Sequence, residues 1–68
     1  MTPREARAKL GLSQAQMARL MGGTSEFTVA KWEQGHRHPS SQAQELMELL
    51  VWLHDSHPDV YRLWLAKI

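Results

Sequence analysis

The sequence contains no cysteine among its 68 residues, which excludes disulfide bonds and thiolate metal sites within it. No uncharged apolar run approaches the roughly 18 residues of a membrane-spanning helix. No basic leader with a small-residue cleavage site opens the sequence. We therefore expect a cytoplasmic protein without membrane contact. Residues 1–68 have room for a single domain whose small core would benefit from reinforcement by a partner.

Signatures of enzymes and metal sites are also missing. No glycine-rich phosphate loop follows a strand, and no nucleophile motif surrounds Ser13 or the histidines. The spacing of the histidines matches no zinc pattern, so we expect neither a metal nor another cofactor. The alternative roles for His36 and His38 are phosphate contacts or loop positions. The four histidines are His36, His38, His54 and His57.

Charge is nearly balanced but unevenly placed, with a formal net charge of +1. Residues 1–39 hold six basic and three acidic residues, whereas residues 40–68 hold two basic and four acidic residues. A first half that faces a polyanion would have this distribution. Chance in so short a sequence would produce it as well.

The apolar residues recur at helical rather than strand spacing, and turn residues divide the sequence into five segments. Hydroxyl side chains, capping boxes and prolines mark the predicted helix starts, and glycines mark several ends. In the fourth helix, the predicted apolar stripe includes Leu46, Leu49, Leu50 and Leu53. The predicted start signals are Thr2, Ser13, Thr24 or Ser25, Ser40 or Ser41, and the break at His57-Pro58.

Residues 13–35 carry the pattern that indicates a function most directly. Two short helices flank a turn at Gly22-Gly23, and Ala18 is small where the two helices must approach. Val29 and Trp32 share an inward face of the second of these helices, so its opposite face is left free. Two short helices that cross in this way project one of them from the surface, and the major groove of B-DNA can accept it.

Several short sequence motifs follow one another between residues 12 and 40. In this order they resemble the phage repressor and Cro-like helix-turn-helix family, also called the XRE type, over about residues 3–54. The spacing from Gly22 to Val29 is one residue longer than is usual in that family, so the turn holds an extra residue. The motifs are Leu12-Ser13-Gln14, Met17-Ala18, Leu20-Met21-Gly22, Thr28-Val29-Ala30-Lys31-Trp32-Glu33-Gln34-Gly35 and Pro39-Ser40.

The resemblance implies an all-α, five-helix, lambda-repressor-like DNA-binding domain in which helices 2 and 3 form the helix-turn-helix. It also assigns DNA contacts by position. Lys31 would donate to guanine, Glu26 would accept from cytosine N4, and Phe27 would touch a thymine methyl. The predicted base-reading residues are Ser25, Glu26, Phe27, Thr28 and Lys31. The predicted phosphate-binding residues are Gln14, Thr24, His36, Arg37 and His38.

Some of these positions have alternative roles. Phe27 could instead pack against helix 2 as a partly buried aromatic. Glu26 could serve as an acidic residue that is favoured by the macrodipole at a helix N-terminus, without touching a base. The resemblance further implies a structural ion pair between Arg7 of helix 1 and Glu33 of helix 3.

The last third of the sequence is rich in apolar residues for so small a protein. Helix 5 could fold back and complete the core of the monomer. Alternatively, residues 41–68 could form a two-fold dimerisation surface, as an unusually apolar surface suggests. The predicted interface residues are Trp52, Tyr61, Trp64, Leu65 and Ile68.

Two functional hypotheses follow from the resemblance. The first is a sequence-specific transcriptional regulator, a dimeric autorepressor that binds double-stranded DNA at a palindromic operator. Its short operon would be a phage or bacterial one, of the anti-CRISPR-associated or toxin–antitoxin type. The second is an antitoxin or other protein-interaction module that neutralises a partner protein through its apolar C-terminal surface.

Overall fold

The computed structural model describes residues 1–67, which form five α-helices and contain no strand. The all-α, five-helix fold predicted from the sequence is therefore confirmed. None of these helices is long and apolar enough to cross a bilayer. The helices are α1 (Pro3–Leu10), α2 (Gln14–Leu20), α3 (Glu26–Gln34), α4 (Ser41–Ser56) and α5 (Pro58–Leu65).

Side-chain caps fix where the helices begin. The Thr2 hydroxyl accepts from the Glu5 backbone N–H at 3.1 Å, and the Glu5 carboxylate accepts from the Thr2 N–H at 2.9 Å. Ser13 and Gln16 form the same reciprocal box at the start of α2. Each box satisfies two backbone N–H groups, which explains why such short helices begin where they do.

The sequence left two possible caps for α3 and two for α4. Ser25 caps α3, since its hydroxyl accepts from the Thr28 N–H at 3.0 Å. Ser40 caps α4 in the same way, at 3.1 Å from the Ala43 N–H. Helix α5 has no side-chain cap and begins directly at Pro58, whose missing N–H suits the first helical position.

One hydrophobic core draws side chains from all five helices. Its largest fully buried members are Met17 of α2, Val29 of α3, and Met47 and Leu50 of α4. Helix α4 packs against α1 and α5, while α3 packs against α2 and α1. Helix α3 therefore buries one face against α1 and α2 and keeps the other face outside.

Helix α4 buries only part of its predicted apolar stripe. Met47, Leu50 and Val51 are buried, but Leu49 is 51% exposed. At 100° per residue, Leu49 lies beyond the sector that α1 and α5 cover. The apolar stripe predicted from the sequence is therefore wider than the face that the core covers.

Helix α5 folds back on α4 and presents Tyr61 to the core. Tyr61 is 3% exposed, and Leu65, one turn later, is half-buried against the same core. The prediction that Tyr61 lies in a dimer interface is corrected by this burial, because a second chain cannot reach it. Val60, Leu63 and Trp64 are exposed on α5.

The Tyr61 hydroxyl is buried and makes no hydrogen bond within residues 1–67. Its ring meets the His54 ring edge-on, with centroids 5.1 Å apart. Burial raises the pKa of Tyr61 because the phenolate would lose its hydration.

Candidate nucleic-acid interface

The turn between α2 and α3 sets the direction in which α3 leaves the body of the protein. Helix α2 ends at Leu20, and α3 begins at Glu26. Within the turn, Gly22 has φ +87° and Gly23 has φ +90°. Only glycine adopts such angles without strain, so two consecutive glycines let this longer turn reverse the chain.

The carboxylate of Glu33 on α3 accepts hydrogen bonds from side chains of α1 and α2. The Arg7 guanidinium donates to Glu33 through Nε at 2.6 Å and through Nη2 at 2.9 Å. The Gln14 amide donates to the same carboxylate at 3.3 Å, and Arg4 Nε does so at 3.5 Å. The Glu33 side chain is only 1% exposed. This cluster of Arg4, Arg7, Gln14 and Glu33, called here the Glu33 cluster, fixes α3 relative to the first two helices.

These contacts determine the protonation states of Arg7 and Glu33. The hydrogen bond from Arg7 lowers the pKa of Glu33 against the opposing effect of burial, and the Gln14 amide lowers it further. The same hydrogen bond raises the pKa of Arg7. Both groups are therefore held in their charged forms. Arg7 also donates to the Leu12 carbonyl at 3.0 Å, which links it to the chain just before α2.

The outward face of α3 is a stripe of three side chains at helical spacing. Phe27 is 62% exposed, Lys31 is half-buried, and Gln34 is exposed. Most of Phe27 is therefore open to solvent. The Lys31 ammonium lies 4.9 Å from the centroid of the Phe27 ring, a cation–π contact.

Ser25 and Thr28 form a hydroxyl pair at the start of α3. Their oxygens are 2.8 Å apart, and Ser25 also accepts from the Thr28 N–H. The pair carries two hydroxyl protons, and one of them is shared between the two oxygens. One proton is left to donate to an external acceptor such as a base edge or a phosphate. Glu26 follows Ser25 and is exposed in the first helical turn.

The other residues predicted to contact phosphate flank α3 or begin α2. Thr24 is half-buried before α3, and it helps to line a cavity of about 290 Å³ with Met21 and Ser40. The side chains of His36, Arg37 and His38 are exposed in the loop after α3. The backbone N–H groups of His36 and Arg37 donate to the Lys31 carbonyl and thereby cap the C-terminal end of α3. The Gln14 side chain, in contrast, already donates to Glu33.

Sequence reasoning missed Gln34 as a member of the exposed face. Its position seven residues after Phe27 and three after Lys31 contained the signal, because such positions share one side of a helix. The engagement of Gln14 and Arg4 with Glu33 had no such signal, since it depends on how three helices meet. Within residues 1–67, no three acidic or histidine side chains gather at a metal-binding distance.

The comparison with protein families agrees with this geometry. The sequence model of the helix-turn-helix family matches residues 4–43, more than half of the chain. The chain belongs to the XRE-type helix-turn-helix family. The helix-turn-helix protein is thus a DNA-binding transcriptional regulator, in a family of regulatory domains rather than enzymes. No curated protein and no solved structure matches it significantly.

The helix-turn-helix protein also exposes five large apolar side chains on α4 and α5, and this set is called here the C-terminal apolar surface. The predicted interface residues Trp52 and Trp64 lie on it, at 53% and 44% exposure. Leu65 is only half-buried, and Ile68 lies outside the described residues. Sequence reasoning did not assign the remaining members of this surface to an interface. The surface consists of Leu49, Trp52, Val60, Leu63 and Trp64.

Proposed function

We propose that this helix-turn-helix protein is a homodimeric repressor that binds a palindromic operator and controls its own short operon. The observation that carries the proposal is the free face of α3. Phe27 and Gln34 are exposed there and Lys31 is partly exposed, while Val29 and the Glu33 cluster anchor the opposite face. A helix supported on one side and free on the other can enter the major groove with its side chains against the base edges.

The flanking residues support the same docking. Ser25, Glu26 and Thr28 begin α3 and would lie with Phe27 and Lys31 among the bases. Thr24 before α3 and the loop of residues 36–38 after it would follow the phosphate backbone on either side. Gln14 would reach a phosphate with its orientation fixed by Glu33. Contacts of this kind position a protein on DNA and make its affinity depend on salt.

Dimerisation through residues 41–68 would provide the symmetry of the operator. The C-terminal apolar surface exposes two tryptophans and three aliphatic residues, a grouping that isolated soluble proteins seldom leave open to water. A two-fold axis through it would pair identical surfaces of residues 1–68, each copy a single domain. The protein measures 34 × 21 × 19 Å, so two copies side by side can space their α3 helices by the roughly 34 Å of one DNA turn.

Repression would be steric, because a dimer seated on a promoter excludes RNA polymerase. The protein would act in the cytoplasm, where the chromosome is. The family resemblance points to a phage or bacterial operon, of the anti-CRISPR-associated or toxin–antitoxin type.

Footprinting on the region upstream of its own gene tests operator binding. We expect two protected half-sites about 10 base pairs apart, on one face of the duplex. We also expect an affinity that falls steeply with salt, by about 0.9 log units per log unit of salt for each phosphate contacted. No protection at any concentration in dilute buffer would overturn the proposal.

Sedimentation of a Leu63→Asp variant tests the dimer. Leu63 is 74% exposed, so the substitution leaves the core intact while it puts a charge into the proposed interface. We expect the wild-type protein to sediment as a dimer and the variant as a monomer. Ala8→Asp, at an exposed position of α1, adds the same charge elsewhere and should remain dimeric. Unchanged dimerisation of Leu63→Asp would place the interface elsewhere.

The same apolar surface favours a second candidate function, an antitoxin that covers a toxin. In that case the wild-type protein would be a monomer at micromolar concentration. It would bind the product of the adjacent gene through the C-terminal apolar surface, and Leu63→Asp would abolish that binding. A wild-type dimer that ignores the neighbouring gene product would exclude this candidate.

A further inference from the structure

We propose that Phe27 and Lys31 read one two-base step as a unit, in which Phe27 contacts the 5-methyl group of a pyrimidine and Lys31 contacts the adjacent guanine. The inference rests on the proposed function, in which α3 enters the major groove. It goes further because it names the chemical groups that are recognised and predicts sensitivity to cytosine methylation.

Phe27 has a side chain without a hydrogen-bond donor or acceptor, and it is 62% exposed in the first turn of α3, on the free face of that helix. The other residues of that face, Lys31 and Gln34, are polar. Within the major groove, the 5-methyl group of thymine is the apolar group that a base edge presents. An exposed aromatic ring at this position therefore fits a methylated pyrimidine better than any other base edge.

Lys31 is held against that ring. Its ammonium lies 4.9 Å from the ring centroid, and the attraction between the cation and the ring restrains a long side chain that would otherwise sample many rotamers. The ammonium keeps donors free for an acceptor in the groove. Guanine presents two acceptors there, O6 and N7, whereas adenine pairs its N7 with a donating amino group. A cation that only donates therefore prefers guanine.

The separation of the two groups assigns them to neighbouring bases. Successive bases along a strand are about 3.4 Å apart, so a ring edge and an ammonium held in contact span one base step and not several. Because the contact joins the two side chains, the loss of either one also releases the other. Their contributions to affinity should therefore be coupled rather than additive.

A reader of the methyl group does not distinguish thymine from 5-methylcytosine, because both carry the methyl at the same position. Uracil and unmodified cytosine lack it. A cytosine–guanine step would thus become a better ligand for the Phe27–Lys31 pair after cytosine methylation. Occupancy of the operator would then respond to the methylation state of the DNA.

The test begins with selection of bound sequences from a random duplex library by the wild-type protein. In the selected sequence, each thymine is replaced in turn by deoxyuridine, and each guanine by 7-deazaguanine. We expect one deoxyuridine to weaken binding about fourfold, the fold-change that corresponds to one buried methyl group. The adjacent 7-deazaguanine should weaken it about fivefold, because N7 is one of the two acceptors that guanine presents. A 5-methylcytosine in place of that thymine should bind about fourfold more tightly than cytosine.

Variants assign these effects to residues. Phe27→Ala should bind the methylated and unmethylated duplexes equally, and Lys31→Met should lose its response to 7-deazaguanine. The double variant should lose less affinity than the product of the two single losses. Lys9→Met is the matched control, because Lys9 is exposed on α1, outside the free face of α3 and outside the C-terminal apolar surface, and it should behave as wild type. Thermal melting of each variant verifies that it is folded.

Two results would overturn the inference, and they differ in what else they affect. If deoxyuridine has no effect at any thymine, or if Phe27→Ala keeps its response to the methyl group, the inference is wrong while sequence-specific binding stands. If the library yields no enriched sequence and the protein ignores DNA in dilute buffer, the proposed function fails together with it.

Discussion

At the scale of single residues, Glu33 connects three helices through one carboxylate. Its partners are Arg7 and Arg4 on α1 and Gln14 on α2, and its side chain is 1% exposed. A carboxylate removed from water is stable only while its donors remain in place. The orientation of α3, and with it the face proposed to contact DNA, therefore depends on Glu33 although Glu33 lies on the opposite side of that helix.

Removal of Arg7 tests this dependence. We expect Arg7→Met to lower the free energy of unfolding by about 3–5 kcal/mol, because a buried charge loses its bidentate partner. Urea unfolding followed by circular dichroism measures the change. Arg62→Met is the control, since the Arg62–Asp59 pair is exposed on both sides and should contribute less than about 1 kcal/mol. Equal losses in the two variants would contradict the role given to Arg7.

The depressed pKa of Glu33 predicts how stability varies with pH. The folded protein holds this pKa below its ordinary value of 4.5. The stabilisation is fully present above pH 4.5 and is lost as the pH falls through the folded pKa, because the unfolded state then binds more protons. We expect the free energy of unfolding of the wild type to fall more steeply below pH 4.5 than that of Glu33→Gln. Parallel pH profiles would show that Glu33 does not titrate in this way.

The Tyr61 hydroxyl differs from the Glu33 carboxylate, because it is buried and has no hydrogen-bond partner within residues 1–67. A buried hydroxyl without a hydrogen bond costs about 1–3 kcal/mol. Tyr61→Phe keeps the ring that packs against His54 and removes the hydroxyl. We expect the variant to be more stable than the wild type by about 1 kcal/mol or more in urea unfolding. A clear loss of stability would mean that the hydroxyl makes a favourable interaction.

At the scale of elements, the turn between α2 and α3 determines the direction of α3. No heavy atom lies within 4 Å of a Cβ built on Gly23, so Gly23→Ala adds no clash. Alanine in the left-handed backbone conformation of Gly23 should by itself lower the free energy of unfolding by about 1–2 kcal/mol. Gly23→Asn should lose less, because asparagine tolerates this conformation better. Thermal melts of the two variants measure the difference, and an equally stable Gly23→Ala would contradict the strain.

Helix starts and turn positions could be predicted because the forces that set them are local. Thr2 and Ser13 cap through contacts with residues three positions away, which the sequence displays directly. The face that a helix buries depends on its neighbours in space. For this reason Leu49 is exposed although it shares the predicted apolar stripe with the buried Leu50, and Tyr61, which was predicted to be at a dimer surface, is in the core.

In the candidate site, too, local features could be predicted from the sequence, whereas contacts between distant residues could not. Phe27 and Lys31 could be predicted on the free face, because Val29 and Trp32 identify the buried one. The contact between the Phe27 ring and the Lys31 ammonium follows from their spacing only once both are known to face outward. The hydrogen bond from Gln14 to Glu33 joins residues 19 positions apart, so no local sequence pattern predicted it.

At the scale of the whole molecule, the helix-turn-helix protein separates two tasks. Helices α2 and α3 with their flanking loops form the proposed DNA face, while α4 and α5 carry the C-terminal apolar surface. Helix α4 contacts both α1 and α5, and α1 contacts α3, so one core supports both surfaces. A two-fold dimer would then present two α3 helices to one face of DNA.

The entry of α3 into the major groove is the central claim, and protection of guanine N7 from dimethyl sulfate tests it most directly, because N7 lies in that groove. On operator DNA bound by the wild-type protein, we predict two groups of protected guanines about 10 base pairs apart. Lys31→Ala at a concentration that restores binding should lose protection at one guanine in each group. Bound DNA whose guanine N7 atoms all remain reactive would contradict the claim.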